Sequence, residues 1–146
     1  MEARALRLPA AAPGDAKAVT IPVSAGELID KITILSLKTQ RVRNAQKRLM
    51  AAQELNSLRQ AAGPIRAADA TGEIAALTLR LEAVNGALWD VEDSLRAMES
   101  ARDFGAGFIE AARSVYRLND ERARLKNAVN AAAGCALMEV KEHPDY

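Results

Sequence analysis

Ser24 to Lys38 reads S-A-G-E-L-I-D-K-I-T-I-L-S-L-K, and this stretch decides the fold. Ser24 is a good helix N-cap, and Glu27 stands three residues on, the spacing of a capping box. Leu28, Ile32 and Leu35 then fall on one face of a helix. Ile29, Ile34 and Leu37 fall on other faces, so this helix has more than one neighbour to pack against. Asp30 shares a stripe with Ile34 and Leu37, which puts a carboxylate into an apolar surface.

The composition fits a helical core. The chain has 146 residues, a one-domain length. Hydrophobic residues make up 49% but aromatics only 3%, and many of the apolar residues are alanine. Such a chain packs helices closely through small side chains. The formal net charge is +1, from 20 basic and 19 acidic residues, which implies no nucleic-acid partner. The single cysteine, Cys135, excludes an intrachain disulfide and fits a reducing, cytoplasmic compartment. No apolar run has the length of a membrane span, and none resembles a signal peptide. Residues Met1 to Ala18 read as a disordered Ala/Pro-rich tail, with a single domain over 19–146.

In chain order, Val19 to Val23 (V-T-I-P-V) is β-branched and extended, and Pro22 restricts it to an edge strand or a docked arm. Helix 1 is expected from about Ala25 to about Gln60, with a seam through Leu28, Leu35, Val42 and Leu49. Its length would be on the order of 50 Å. Gly63-Pro64 ends it, and Ala62 to Thr71 forms a loop. Helix 2 carries Ile74, Leu77, Leu81, Val84, Leu88, Val91, Leu95 and Met98 at unbroken spacings of three and four, the mark of shallow-angle, coiled-coil-like packing. A break follows at Arg102 to Ala106, with Asp103 as the cap. Helix 3 spans about Gly107 to Ala133 through Phe108, Ala111, Val115, Leu118, Leu125 and Val129, with Arg122 in the one odd slot. Gly134 is placed for a C-cap. Leu137 to Lys141 alternates enough to pair with Val19 to Val23 as a two-stranded ribbon. The expected fold is therefore all-α, an antiparallel three-helix bundle, with the far ends of helices 1 and 2 protruding as a hairpin.

Aligning the three helices by level brings Trp89 beside Tyr116, Asn119 and Lys38, with Glu27, Asp30, Lys31, Glu92, Arg96 and Arg113 nearer the Arg102 turn. One reading is a polar network that sets helix register, made of Glu27, Asp30, Lys31, Glu92, Asp120, Arg122 and Lys126. The other is a site for a small anion, with Trp89 and Tyr116 as walls and Lys38, Arg96, Arg113 and Asn119 as polar contacts. The acidic pairs Glu27/Asp30 and Asp90/Asp93 have the i, i+3 spacing that can hold magnesium for nucleotide hydrolysis. The all-helical nucleoside-triphosphate pyrophosphohydrolases carry a denser glutamate cluster than this, so no metal and no cofactor is assigned. Helix 1 shares a rhythm with the first helix of helical chorismate mutases, but Val23 stands where their arginine belongs. His143 and Cys135 lack metal-ligand or nucleophile partners in sequence. Arg41, Arg43, Lys47 and Arg48 read as a solvated basic face.

Three segments, S-A-G-E-L-I-D-K-I-T-I-L (Ser24 to Leu35), N-G-A-L-W-D-V-E-D-S-L-R (Asn85 to Arg96) and F-I-E-A-A-R-S-V-Y-R-L-N-D-E-R-A-R-L-K (Phe108 to Lys126), together with E-V-K at Glu139 to Lys141, resemble a family of small bacterial proteins known only as a domain of unknown function. The resemblance implies no activity, substrate or cofactor. It places Glu27, Asp30, Lys31, Asn85, Trp89, Asp90, Glu92, Asp93, Arg96, Arg113, Tyr116, Asn119, Asp120, Arg122 and Lys126 in the family pattern. The functional expectation is a helical protein-interaction module that forms a homodimer, since three helices leave Ile29, Ile34 and Leu37 short of cover. A protein partner is a further option, and no membrane partner is expected. The alternatives are the anion-binding protein or enzyme and the magnesium-dependent hydrolase described above.

Overall fold

A computed structural model describes residues 18–137, 140 and 142–145. Among them the chain is all-α, with five helices and no strand. They are α1 (Ala25–Arg41), α2 (Ala45–Ala61), α3 (Gly63–Ala67), α4 (Glu73–Ala101) and α5 (Ala106–Ala132). No helix among the described residues is long and apolar enough to cross a membrane. Val19 to Val23 forms no strand, and Val19 and Ile21 lie open to solvent. Of the ribbon's other arm, Met138, Glu139 and Lys141 lie outside the described residues, as does the tail before Ala18.

The main correction concerns the first helix. It does not run to Gln60 but stops at Arg41 and folds back as α2. Val42 and Asn44 take extended backbone angles, and the Asn44 side chain accepts the Lys47 N–H at 2.9 Å as a new N-cap. Arg48 closes the corner by donating to the carbonyl oxygens of Val42 and Arg43 at 2.9 and 2.8 Å. The heptad seam proposed through Val42 and Leu49 therefore fails. Leu49 is exposed, and α2 buries Ala51 and Leu55 instead.

The faces of α1 expected to lack cover are closed by α2 and α4 together. Ile29 and Leu37 are buried, and Ile34 is half-buried. One core joins Ile29, Ile32 and Leu35 of α1 to Leu55 of α2, Leu77 and Leu81 of α4, and Leu125 and Val129 of α5. The reversal also changes direction. Asp30 meets Asn85 while Arg41 meets Asp90, so α1 and α4 run the same way, crossing obliquely. Arg80 meets Glu121, so α5 runs back along α4, and Gly26 meets Asn130, so it also runs back along α1.

The other boundaries lie close to those expected. The loop of Ala62 to Thr71 holds the short α3, opened by Pro64, and Ala62 is fully buried. Asp69 caps α4 from a distance, accepting the N–H groups of Ile74 and Ala75 at 3.1 and 2.9 Å. At the α4–α5 turn Arg102 adopts a left-handed conformation with φ of 53°, and the Asp103 N–H returns to the Met98 carbonyl at 2.9 Å. Asp103 is not the N-cap of α5. Gly105 holds that position, and the Asp103 side chain accepts the Gly105 N–H. Gly134, with φ of 65°, follows α5 in the same left-handed manner. The hairpin that extends past the rest is α4–α5. Among the described residues no other helix covers α4 beyond the level of Arg41 and Trp89.

Candidate functional site

The chain's buried charge collects where α1, α4 and α5 meet. Asp30 is 1% exposed. Arg122 holds it bidentately, Nε donating to Oδ1 at 2.9 Å and Nη2 to Oδ2 at 2.6 Å. Asn85 of α4 donates from one nitrogen to Asp30 Oδ1 and to Thr33 Oγ1, both at 2.9 Å. The Thr33 hydroxyl in turn donates to the Asp30 carbonyl at 2.8 Å. Three helices thus converge on one carboxylate. Charge-assisted, bidentate bonds of this kind are strong, but they also offset a large desolvation cost. The expected gain is one of register: each helix can satisfy the cluster in a single axial position.

One turn towards the N-terminus of α1, a second tie joins it to α5. Lys126, almost wholly buried, donates to Glu27 at 2.7 Å. The Gly26 N–H donates to the Asn130 side-chain oxygen at 2.6 Å. Here the helices nearly touch. A β-carbon on Gly26 would stand 2.2 Å from the Lys126 carbonyl oxygen, closer than any real contact, so this position accepts only glycine without a backbone shift. Asn130 is completely buried, and its Nδ2 has no partner among the described residues.

The residues expected to converge divide into two groups. Glu27, Asp30, Arg122 and Lys126 come together as described, joined by Asn85 and Thr33. Asp120 is half-buried beside them in sequence, on α5. Lys31 faces outward to Glu54 of α2 at 2.6 Å, an exposed pair of small energetic weight. Glu92, Arg96 and Arg113 do not reach this level. Arg96 lies 3.9 Å from Glu92 and 3.8 Å from Asp93 on its own helix. Arg113 pairs with Glu110 at 3.5 Å. A side-chain hydrogen bond to Tyr116, and then the Glu110 charge, raise the pKa of the Arg113 guanidinium. The shared level assumed for them fails because α1 runs parallel to α4, which carries Asp30 away from the Arg102 turn.

The proposed walls of an anion pocket are likewise apart in role. The Trp89 ring is half-buried under the Arg41 guanidinium, 5.9 Å from the ring centroid, and Arg41 also bonds Asp90 at 2.5 Å. Tyr116 is exposed, Lys38 is exposed, and the Asn119 amide donates to the carbonyl of Val115 one turn back. The acidic pairs weighed for magnesium are held by cations already: Glu27 by Lys126, Asp30 by Arg122, and Asp90 by Arg41. Among the described residues no three His, Cys, Asp or Glu side chains gather as a metal site.

Asn85 and Thr33 were the participants that spacing alone did not single out for this cluster. Their signal was present: Asn85 heads a stripe that runs beside the α4 seam, and Thr33 follows Asp30 by one turn. The motifs that hold the cluster, one each on α1, α4 and α5, fall within a segment, residues 19–145, that matches a family of unknown function, DUF6165. The chain belongs to this family. No curated protein and no solved structure is detectably similar to it. In DUF6165 terms, the matched segment includes the extended arm at Val19 and all five helices.

Proposed function

We propose that this DUF6165 protein is a helical interaction module that pairs with a second copy of itself through the tip of the α4–α5 hairpin. One observation carries the reading. The α4 seam keeps its rhythm of threes and fours from Ile74 to Met98, yet its burial changes halfway. Ile74, Leu77, Leu81 and Leu88 are buried with only Val84 half-buried among them, whereas Val91, Leu95 and Met98 are all half-buried. On the facing helix Phe108, Ala111 and Val115 are half-buried too, and Ile109 and Tyr116 are exposed, as is Phe104 in the turn before it. An apolar seam that outruns its cover calls for another helix pair.

A second copy suits this surface because it brings the same seam and nearly balanced charge. Glu92, Asp93, Glu99, Asp103 and Glu110 are offset by Arg96, Arg102, Arg113 and Arg117 over the tip, so like surfaces meet without strong repulsion. Two hairpins packed tip against tip form a short coiled-coil-like four-helix bundle with two-fold symmetry. Sedimentation equilibrium of the full chain from low to high micromolar concentration tests the reading. The expected result is a dimer that Leu95→Glu converts to a folded monomer. A chain that stays monomeric throughout, or a dimer indifferent to Leu95→Glu and Ile109→Glu, overturns it.

A further inference from the structure

A groove of about 570 Å³ lies between α1, the end of α2, α3 and the first turns of α4. That volume is in the range of small-molecule sites. Its floor is aliphatic: Ile29 and Ile32 of α1 and Ile74 of α4, with the exposed Leu79 as one wall. Two guanidiniums, Arg59 and Arg66, line it as well.

These two arginines differ from those on the long hairpin. Every arginine within α4 and α5 is held by a carboxylate. The side chains of Arg59 and Arg66 make no ion pair or hydrogen bond among the described residues. The acid nearest them in the lining, Asp69, is committed elsewhere, since both its oxygens accept backbone N–H groups at the start of α4. The other acid, Glu82, lies two turns further along α4, where it accepts the Ser36 hydroxyl at 3.5 Å. The groove thus has an apolar bed, an acid occupied at one end and a cationic side with its donors unspent. Guanidinium forks match carboxylates in shape and charge.

We infer that this groove binds an amphipathic carboxylate, its apolar body lying on Ile29, Ile32, Ile74 and Leu79 and its carboxylate held by Arg59 and Arg66. The site shares no residue with the hairpin tip, so it stands or falls apart from the pairing of two copies.

The test uses the full chain, isotopically labelled, and sodium decanoate below its micellar concentration. Decyltrimethylammonium, with the same tail and the opposite charge, is the control. Amide shifts are expected to saturate with decanoate and to cluster at Ile29 to Ser36 and Ile74 to Glu82. Arg59→Gln together with Arg66→Gln, both at exposed positions, weakens decanoate binding at least about tenfold while leaving the spectrum of the free protein dispersed. Leu79→Asp, another exposed position, weakens it as well. Absence of saturable shifts, shifts centred elsewhere, equal binding of the cationic control, or decanoate binding undiminished in the double variant would each overturn the assignment. Sedimentation of the same double variant reports separately on self-association.

Discussion

The lower and upper halves of the α4–α5 hairpin are built from the same repeat and live in different surroundings. From Ile74 to Leu88 the seam packs towards α1 with every residue but Val84 buried, and Leu81 has no exposed surface at all. From Val91 to Met98 the same spacing continues, but its residues are only half-buried. Periodicity therefore tells which face of a helix is apolar, while the length of the neighbouring helix decides how much of that face is covered. In this chain that length is set at one corner, Val42 to Asn44, where α1 turns back.

The largest expected effect separates the halves directly. Leu81→Ala removes a fully buried side chain and should cost about 4 kcal/mol in urea unfolding, the upper part of the range for core leucines. Leu95→Ala, in the half-covered seam, should cost about 1 kcal/mol at dilute concentration, where monomers dominate, and more as protein concentration rises. Equal losses at the two positions would remove the distinction between the halves.

A somewhat smaller loss is expected at the polar seal between them. Asp30→Ala strips Arg122 and Asn85 of a shared acceptor and should cost about 3 kcal/mol. Arg122 retains some contact with solvent, which keeps the figure at the low end for a broken buried pair. The same substitution at Asp93, in the open half, should fall within about 0.5 kcal/mol, since its pairing with Arg96 is exposed and long. One substitution should give a gain. Arg102 occupies a left-handed conformation that glycine adopts freely, so Arg102→Gly should stabilise the hairpin by up to about 1 kcal/mol. Thermal unfolding of the two proteins checks this, and a lowered midpoint would contradict it.

The unevenness of what could be read in advance follows from the same physics. Helices α4 and α5 were legible almost to the residue because their apolar spacing is regular and glycine or aspartate stands at their ends. The corner at Val42 to Asn44 was not, because it contains no glycine or proline. Its only local sign is Asn44, a good N-cap inside a run that reads as continuous helix. That one omission reversed the direction of half the first helix, and with it the levels at which distant residues meet. Asp30 in an apolar stripe and Arg122 in an odd slot of the α5 seam were visible as irregularities. Their meeting, with Asn85 as the third member, depends on the crossing of α1 over α4, which spacing does not encode. The groove beneath Arg59 and Arg66 depends on the same fold-back and on the short α3, and no linear pattern foreshadows it.

The tie between Asp30 and Arg122 also orders events in time. The two residues are 92 positions apart, and Gly26 and Asn130 are 104 apart. During synthesis α1 leaves the ribosome long before the helix that neutralises its carboxylate exists. At roughly 5–20 residues per second, that interval lasts on the order of several seconds. A nascent chain cut short before α5 keeps an apolar helix whose inner carboxylate lacks its guanidinium partner. Completion of the last helix is thus what supplies the first helix with its charge partner.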